Sequence, residues 1–265
     1  MKTTAITCSD LYDLKIYAEN GADEVIVAPV DCSFSALSEI QEDKLIDAIS
    51  TAHQEGMQIS FLINRLFGQS EISEVSERIN TYVQAGVDGI IFADPGLLVE
   101  AQNKGYLDRM IYQPDTLVTS SFDASFWMER GLKSVTVSSL ITEDEISDMS
   151  RKVNGLSLIV HGRLLMSVSK RRLLQAFKEE TGLSFQPDYN RSLYLMEEKR
   201  DGRMPVYENA YACMIYSDFV QESFDEMPSF MNIDRFVIDG TWLSRQESIA
   251  ALRIYQGLLD GKDMQ

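Results

Sequence analysis

The chain has 265 residues, of which 45% are hydrophobic, and it carries a formal net charge of −17. This length and apolar content suffice for a single domain with a full core. The negative charge excludes a general nucleic-acid binder, because phosphate contacts need a basic surface. The most apolar stretches are about five residues long, against roughly 20 for a membrane span. With no signal-peptide pattern at the N-terminus, we expect a cytoplasmic protein.

Apolar, β-branched runs recur along the chain, and four of them follow a helical stretch that ends in Gly or polar residues. Such runs are typical of parallel strands buried on both faces. They predict strands at 4–7, 24–28, 58–63, 89–93, 110–112 or 117–119, 134–137, 156–161 and 236–238. Apolar stripes with helical spacing predict helices over 42–55 and 71–84.

Eight strands alternating with helices predict a parallel (β/α) barrel of the TIM type. The alternative is an open, doubly wound sheet, for which the glycine-rich phosphate loop expected after the first strand is missing at residues 7–10. We interpret residues 1–265 as one barrel domain. An irregular insertion at about 162–231 follows the seventh strand and holds one predicted helix, at 170–180. A long insertion at the carboxyl end of a barrel strand is usually functional.

Polar residues that follow strands are the candidates for a barrel site, because active sites form at that end. Among them, His161 is the candidate general acid or base, with Asp239 as its catalytic partner. A packed structural role for the histidine and a helix-capping role for Asp239 or Asp94 stay open. The remaining strand-end candidates are Asn64 and Asp94 for substrate binding, and the serines at 120, 121, 138 and 139.

The segment from His161 to Arg203 differs in charge from the rest of the chain. It holds nine Lys or Arg against six Asp or Glu, whereas the remainder has a net charge of −20. The segment therefore contains the predicted anion-binding residues, although a solvated helix face is the alternative. These cations are Lys170, Arg171, Arg172, Lys199, Arg200 and Arg203.

No standard catalytic or metal-binding device is present in the sequence. Cys8, Cys32 and Cys213 lie far apart without a CxxC pair, so we expect no disulfide framework and no metal site. Neither a GxSxG nor an HExxH motif occurs.

Four segments together resemble the collagenase-like peptidase family U32, and the resemblance covers nearly the whole chain. The closest likeness is to its shorter, single-domain bacterial members. The segments are Val160-His161-Gly162 with Met166, Ser169-Lys170-Arg171 and Leu173-Leu174; Glu198-Lys199-Arg200-Asp201; Met204-Pro205-Val206-Tyr207-Glu208; and Phe236-Val237-Ile238-Asp239-Gly240.

The resemblance implies a barrel fold, a historical protease label, and relatives that hydroxylate a nucleobase of RNA or a quinone ring. It implies prephenate as co-substrate for the tRNA reaction and a longer family paralogue as partner. It also places Glu208 among the substrate-binding residues. Several relatives carry an iron–sulfur cluster on cysteines, but Leu165 and Met166 stand where the family has cysteine, so no cluster is expected in this chain.

These departures indicate that the chain is a divergent paralogue. We expect it to be an accessory subunit in prephenate-dependent tRNA uridine hydroxylation, and we expect tRNA to contact the basic segment 161–203. Two alternatives stay open. One is a collagenase-like peptidase, and the other is a barrel enzyme that uses His161 as base on a small anionic metabolite.

Overall fold

A computed structural model describes residues 2–199 and 201–261. The chain divides into two compact units, residues 1–162 with 222–265, and residues 163–221. The second unit falls within the predicted insertion. It carries nine Lys or Arg against eight Asp or Glu, whereas the first unit has a net charge of −18.

Strands and helices alternate through most of the chain and are numbered in chain order. The strands are β1 (Thr3–Thr7), β2 (Glu24–Val27), β3 (Gln58–Ile63), β4 (Gly89–Phe92), β5 (Met110–Tyr112), β6 (Ser134–Val137), β7 (Leu156–Gly162), β8 (Leu165–Ser169), β9 (Tyr194–Met196), β10 (Arg203–Glu208), β11 (Cys213–Tyr216), β12 (Gln221–Glu222) and β13 (Ile233–Ile238). The helices are α1 (Leu14–Glu19), α2 (Glu42–Gln54), α3 (Ile72–Gln84), α4 (Pro95–Lys104), α5 (Ser121–Met128), α6 (Glu143–Lys152), α7 (Leu173–Thr181) and α8 (Arg245–Leu259).

Strands β1 to β7 and β13 form a closed parallel barrel in the first unit. Consecutive strands pair from β1 to β7, β7 pairs with β13, and β13 returns to β1. The closed ring confirms the predicted (β/α) barrel and excludes the open sheet. Of the two predicted positions for the fifth strand, 110–112 is correct, and residues 117–119 lie in the loop before α5.

Two apolar layers stabilise the barrel. Inside it, Ile26, Leu62, Ile91, Ile111 and Val237 belong to one buried cluster. Alternate residues of the same strands belong to a larger cluster with the surrounding helices. Side chains of a strand point alternately to its two faces, so strands that are apolar on both faces bury one face in each layer.

A buried ion pair lies within the barrel near the amino ends of its strands. Arg235 donates from Nε and Nη2 to the two carboxylate oxygens of Glu24, at 2.8 Å each, and from Nη1 to Ser157 at 3.0 Å. Both charged side chains are almost fully buried. The Arg235 guanidinium lowers the pKa of Glu24 against the opposing effect of burial. Polar residues at this end of a barrel act on stability rather than catalysis.

The second unit contains a four-stranded antiparallel sheet in the order β8-β11-β10-β9. The predicted helix at 170–180 is present as α7, but the irregular stretch expected after it contains the strands β9 and β10. Periodicity missed β9 because it is only three residues long and exposed on both faces.

Helix α7 is anchored by Glu208, whose carboxylate is fully buried at the end of β10. It accepts from the backbone N–H groups of Leu174 at 2.8 Å and Gln175 at 3.2 Å, and from Arg172 Nε at 3.1 Å. Arg172 also pairs with Asp188. An internal carboxylate therefore satisfies the free N–H groups at the start of this helix.

Candidate functional site at the carboxyl end of the barrel

The loop over residues 29–40, between β2 and α2, covers the carboxyl end of the barrel. Its Ala36 packs against the inner apolar cluster. Ser33 Oγ donates to Asn64 Oδ1 at 2.8 Å, and Asn64 Nδ2 donates to Ser35 Oγ at 2.9 Å. Asn64, the first residue after β3, therefore fastens this loop to the barrel.

A small cavity remains beneath the loop. Its volume is about 20 Å³, room for about one water molecule, between the loop, the ends of the first three strands and Thr241. Its walls combine hydroxyl and apolar groups. The lining residues are Thr7, Cys8, Ser9, Ile26, Ala28, Ala36, Leu37, Ser38, Leu62 and Thr241.

Two partly buried carboxylates stand at the same end of the barrel, Asp115 after β5 and Asp239 after β13. Burial, against a hydrogen bond from Gln113 and with a smaller contribution from the charge of Asp239, raises the pKa of Asp115 to about 7. Burial also raises the pKa of Asp239, opposed by hydrogen bonds from Thr241. A carboxyl group with a pKa near 7 can exchange a proton at physiological pH.

Substitution of Asp115 by Asn tests this shift. In the folded chain the raised pKa favours the neutral form of the Asp115 carboxyl group. The stability that this group contributes is therefore fully present below its ordinary pKa of 3.8, and it is lost as the pH rises through about 7. We expect Asp115→Asn to raise the free energy of unfolding by about 1–3 kcal/mol at pH 8 and by less at pH 5.5. Asn tolerates the positive φ of 61° at this position.

The measurement is thermal unfolding from pH 5.5 to 8.5, with the exposed Asp47→Asn as matched control. A gain that does not change with pH, or an equal gain in the control, contradicts the raised pKa.

Gly162 ends β7 where its backbone meets the loop after β13. It has a φ of 134°, and a β-carbon there would lie 2.5 Å from the carbonyl oxygen of Asp239 and 3.0 Å from its Cβ. The Asp239 amide donates to the His161 carbonyl at 2.8 Å. Only glycine permits this approach, so Gly162 determines the position of Asp239.

A register shift in β7 turns the His161 ring away from the barrel interior. Ile159 pairs with Val237, but His161 pairs with Ile238, which leaves Val160 as an extra residue. Val237 belongs to the inner cluster and Ile238 to the outer one. The bulge therefore directs His161 outward, where simple alternation would have placed it inside.

The His161 ring packs in the helix layer, 5.7 Å from the ring of Phe224 and 5.9 Å from that of Tyr255 on α8. Burial lowers its pKa, against the opposing charges of Glu222 and Glu247. Its Nδ1 is buried and has no hydrogen-bond partner among the described residues. His161 and Asp239 are thus neighbours through their backbones, while their side chains have different surroundings.

The hydrogen-bond partners of Asp94 indicate a structural role. Its carboxylate accepts from the Gly96 N–H at the start of α4 and from the Phe67 N–H, both at 2.8 Å. It therefore caps α4 and holds the loop after β3, in line with the capping alternative.

The other predicted binding residues belong to the second unit. Lys170, Arg171 and Arg203 are exposed, whereas Glu208 is buried beneath α7. Arg200 lies outside the described residues. The first unit thus brings Asn64 and Asp239 to the covered end of the barrel.

Sequence reasoning missed Gln113 and Asp115, together with Ser33 and Ser35. The strand-end rule finds the first two once the fifth strand is fixed at β5, because they follow it directly. No sequence pattern marks the two serines, since their role depends on where the loop folds.

Comparison with models of protein families assigns the chain to one family. The model of peptidase family U32 matches residues 9–263. The chain belongs to peptidase family U32. This confirms the resemblance carried by the sequence motifs.

Three relatives in this family are similar at low identity. The chain is 22% identical over 261 residues to "tRNA hydroxylation protein P2" of Bacillus subtilis (strain 168), covering 96% of this chain and 84% of the relative. It is 24% identical over 271 residues to "Uncharacterized protease MJ0090" of Methanocaldococcus jannaschii, covering 95% and 63%. It is 24% identical over 150 residues to "tRNA hydroxylation protein P" of Escherichia coli (strain K12), covering 53% and 31%. The chain therefore spans less than two thirds of the length of the last two.

Solved structures agree on the fold. The U32 peptidase Mk0906 is 18% identical with a TM-score of 0.57, covering 90% of this chain and 92% of that one. The N-(5′-phosphoribosyl)anthranilate isomerase from Pyrococcus furiosus is 10% identical with a TM-score of 0.52, covering 97% and 100%. At these identities the likeness shows the barrel alone. Within the described ranges, no helix has the length and apolar character needed to span a bilayer.

The cysteines of this U32 chain do not fit an iron–sulfur cluster. Cys8 and Cys32 belong to the first unit and Cys213 to the second, and each is a buried free thiol. Burial raises the pKa of Cys8 and Cys32 to about 12 and that of Cys213 to about 11. Residues 2–199 and 201–261 contain no group of three or more His, Cys, Asp or Glu placed to hold a metal ion.

Proposed function

We propose that this U32 family member takes part in prephenate-dependent tRNA uridine hydroxylation as an accessory or paralogous subunit. The similarity to tRNA hydroxylation protein P2 carries the proposal, because it covers 96% of the chain and so includes both compact units. Low identity allows divergence in detail, which agrees with the cysteines missing from the family pattern.

The carboxyl end of the barrel supports this proposal chemically. Asp115, with a pKa of about 7, is suited to exchange a proton with a bound molecule near neutral pH.

The proposed partners are tRNA and a longer family paralogue, in the cytoplasm. Exposed Lys170 and Arg171 supply cations for RNA phosphates or for the carboxylates of prephenate. The barrel unit, with its net charge of −18, would repel both ligands over most of its surface.

Deletion of the gene tests the proposal. We expect 5-hydroxyuridine-type nucleosides at the wobble position to fall, measured by mass spectrometry of digested total tRNA, and to return when the gene is supplied on a plasmid. Unchanged levels in the deletion strain contradict the proposal.

Neither alternative function is favoured by a specific observation. A peptidase with a cysteine nucleophile needs a thiolate, but burial keeps all three thiols protonated. Gelatin cleavage by the purified chain would revive the peptidase interpretation.

A further inference from the structure

One face of the hairpin formed by β9 and β10 displays a row of exposed aromatic, thioether and guanidinium groups. Residues directly opposite each other in an antiparallel pair share a face. Met196 pairs with Arg203, and Tyr194 pairs with Pro205. Because Arg203 and Pro205 are two residues apart, all four side chains lie on the same face.

Tyr189 extends this row. Its ring contacts that of Tyr207 edge-on, with 6.3 Å between the centroids. Tyr207 lies two residues beyond Pro205 on β10 and therefore shares its face. The Tyr189 N–H donates to the Glu208 carbonyl at 2.8 Å, which fixes its backbone beside β10.

These groups are exposed in a way that core packing does not explain. The exposed fraction is 62% for Tyr189, 49% for Tyr194 and 57% for Met196, and Arg203 is exposed as well. Pro205 and Tyr207 lie buried in the same row and support it from within the sheet. A rigid sheet that presents flat side chains beside a cation is the arrangement by which proteins stack the bases of single-stranded nucleic acid.

Charge distinguishes this face from the rest of the molecule. The second unit carries a net charge of +1 and the barrel unit −18, so a polyanion is repelled least here. Other exposed aromatics, such as Tyr12 and Phe122, belong to the acidic barrel unit.

We propose that the hairpin face formed by Tyr189, Tyr194, Met196 and Arg203 binds unpaired RNA bases. The tyrosines stack on successive bases and Arg203 pairs with a phosphate. The inference rests on the proposed role in tRNA hydroxylation, and it assigns the second unit to holding an unpaired loop of the RNA. A base within a loop is already unpaired, so it costs less to present for reaction than one in a duplex.

The test is fluorescence anisotropy with the full chain and a fluorescein-labelled oligouridine 12-mer, with a 12-base-pair RNA duplex for comparison. We expect Tyr194→Leu to weaken 12-mer binding by about 5- to 100-fold, the effect of losing one stacked base, and Tyr194→Phe to bind as the wild type does. Tyr12→Leu, which removes a still more exposed aromatic side chain from the barrel unit, leaves binding unchanged. Arg203→Gln lowers the slope of log affinity against log salt by about 0.7.

Equal binding of the 12-mer by wild type and Tyr194→Leu, or equal losses in Tyr194→Leu and Tyr12→Leu, overturns the assignment. Stronger binding of the duplex than of the 12-mer overturns it as well. The assignment is also overturned if the wild type self-associates without binding RNA and Tyr194→Leu abolishes that self-association. The face is then a contact between copies of the chain. If gene deletion lowers tRNA hydroxylation while Tyr194→Leu binds RNA normally, the surface is wrong and the proposed function stands.

Discussion

Glu24→Gln should lower the free energy of unfolding by about 3–5 kcal/mol, the range found when one partner of a buried ion pair is removed. The substitution leaves the Arg235 guanidinium inside the barrel without its counter-charge, although Arg235 keeps its hydrogen bond to Ser157 at 3.0 Å. Chemical denaturation at pH 7 measures the loss. The wild type should also lose this stability in acid, because the pKa of Glu24 is lowered in the folded chain and its carboxylate is needed.

Two further variants test whether the expected loss of stability depends on the burial of the ion pair. Asp148→Asn removes the exposed pair with Lys152 and should change the free energy of unfolding by less than about 0.5 kcal/mol. The double variant Glu24→Leu with Arg235→Met removes both buried charges and should recover most of the loss. Equal effects of Glu24→Gln and Asp148→Asn would show that the pair inside the barrel is not buried.

Gly162→Ala should be the most damaging single-methyl change at the carboxyl end of the barrel. The added Cβ would lie 2.5 Å from the Asp239 carbonyl oxygen, a backbone atom that cannot move without the loop after β13. The φ of 134° adds strain for any residue with a side chain. We expect a loss of at least about 3 kcal/mol in the free energy of unfolding and a displaced Asp239.

Gly105→Ala provides the matched control for this prediction. Gly105 ends α4 with a φ of 81°, and a β-carbon there has nothing within 4 Å. Its substitution should cost about 1 kcal/mol, the usual penalty for a left-handed helix end. If both variants lose the same free energy of unfolding, the close approach between Gly162 and Asp239 does not hold the loop in place.

The barrel was predictable because its strands are buried, mostly β-branched runs and its longer helices have an apolar stripe. Seven strands follow from that pattern directly. The fifth was ambiguous because β5 is only three residues long, and residues 117–119 show the same local composition. The chain itself does not indicate which of two short runs pairs with β4, since that choice depends on the length of the connecting loops.

The site was harder to predict, because its residues depend on contacts between distant segments. The position of His161 at a strand end predicted a catalytic base, but one extra residue in β7 reverses the direction of its ring. Glu208 matched a family segment, yet its partners are backbone N–H groups of α7. Asn64 was chosen as a strand-end residue, and its bonds to Ser33 and Ser35 depend on a loop that no periodicity describes.

The level of wobble-position 5-hydroxyuridine-type nucleosides in tRNA tests the central claim most directly. It is measured by mass spectrometry in a strain that lacks the gene and carries wild type, Gly105→Ala or Gly162→Ala on a plasmid. Wild type and Gly105→Ala should restore the modification, whereas Gly162→Ala, which displaces Asp239, should not. A strain without the gene that keeps the full level of modification would contradict a role in tRNA hydroxylation.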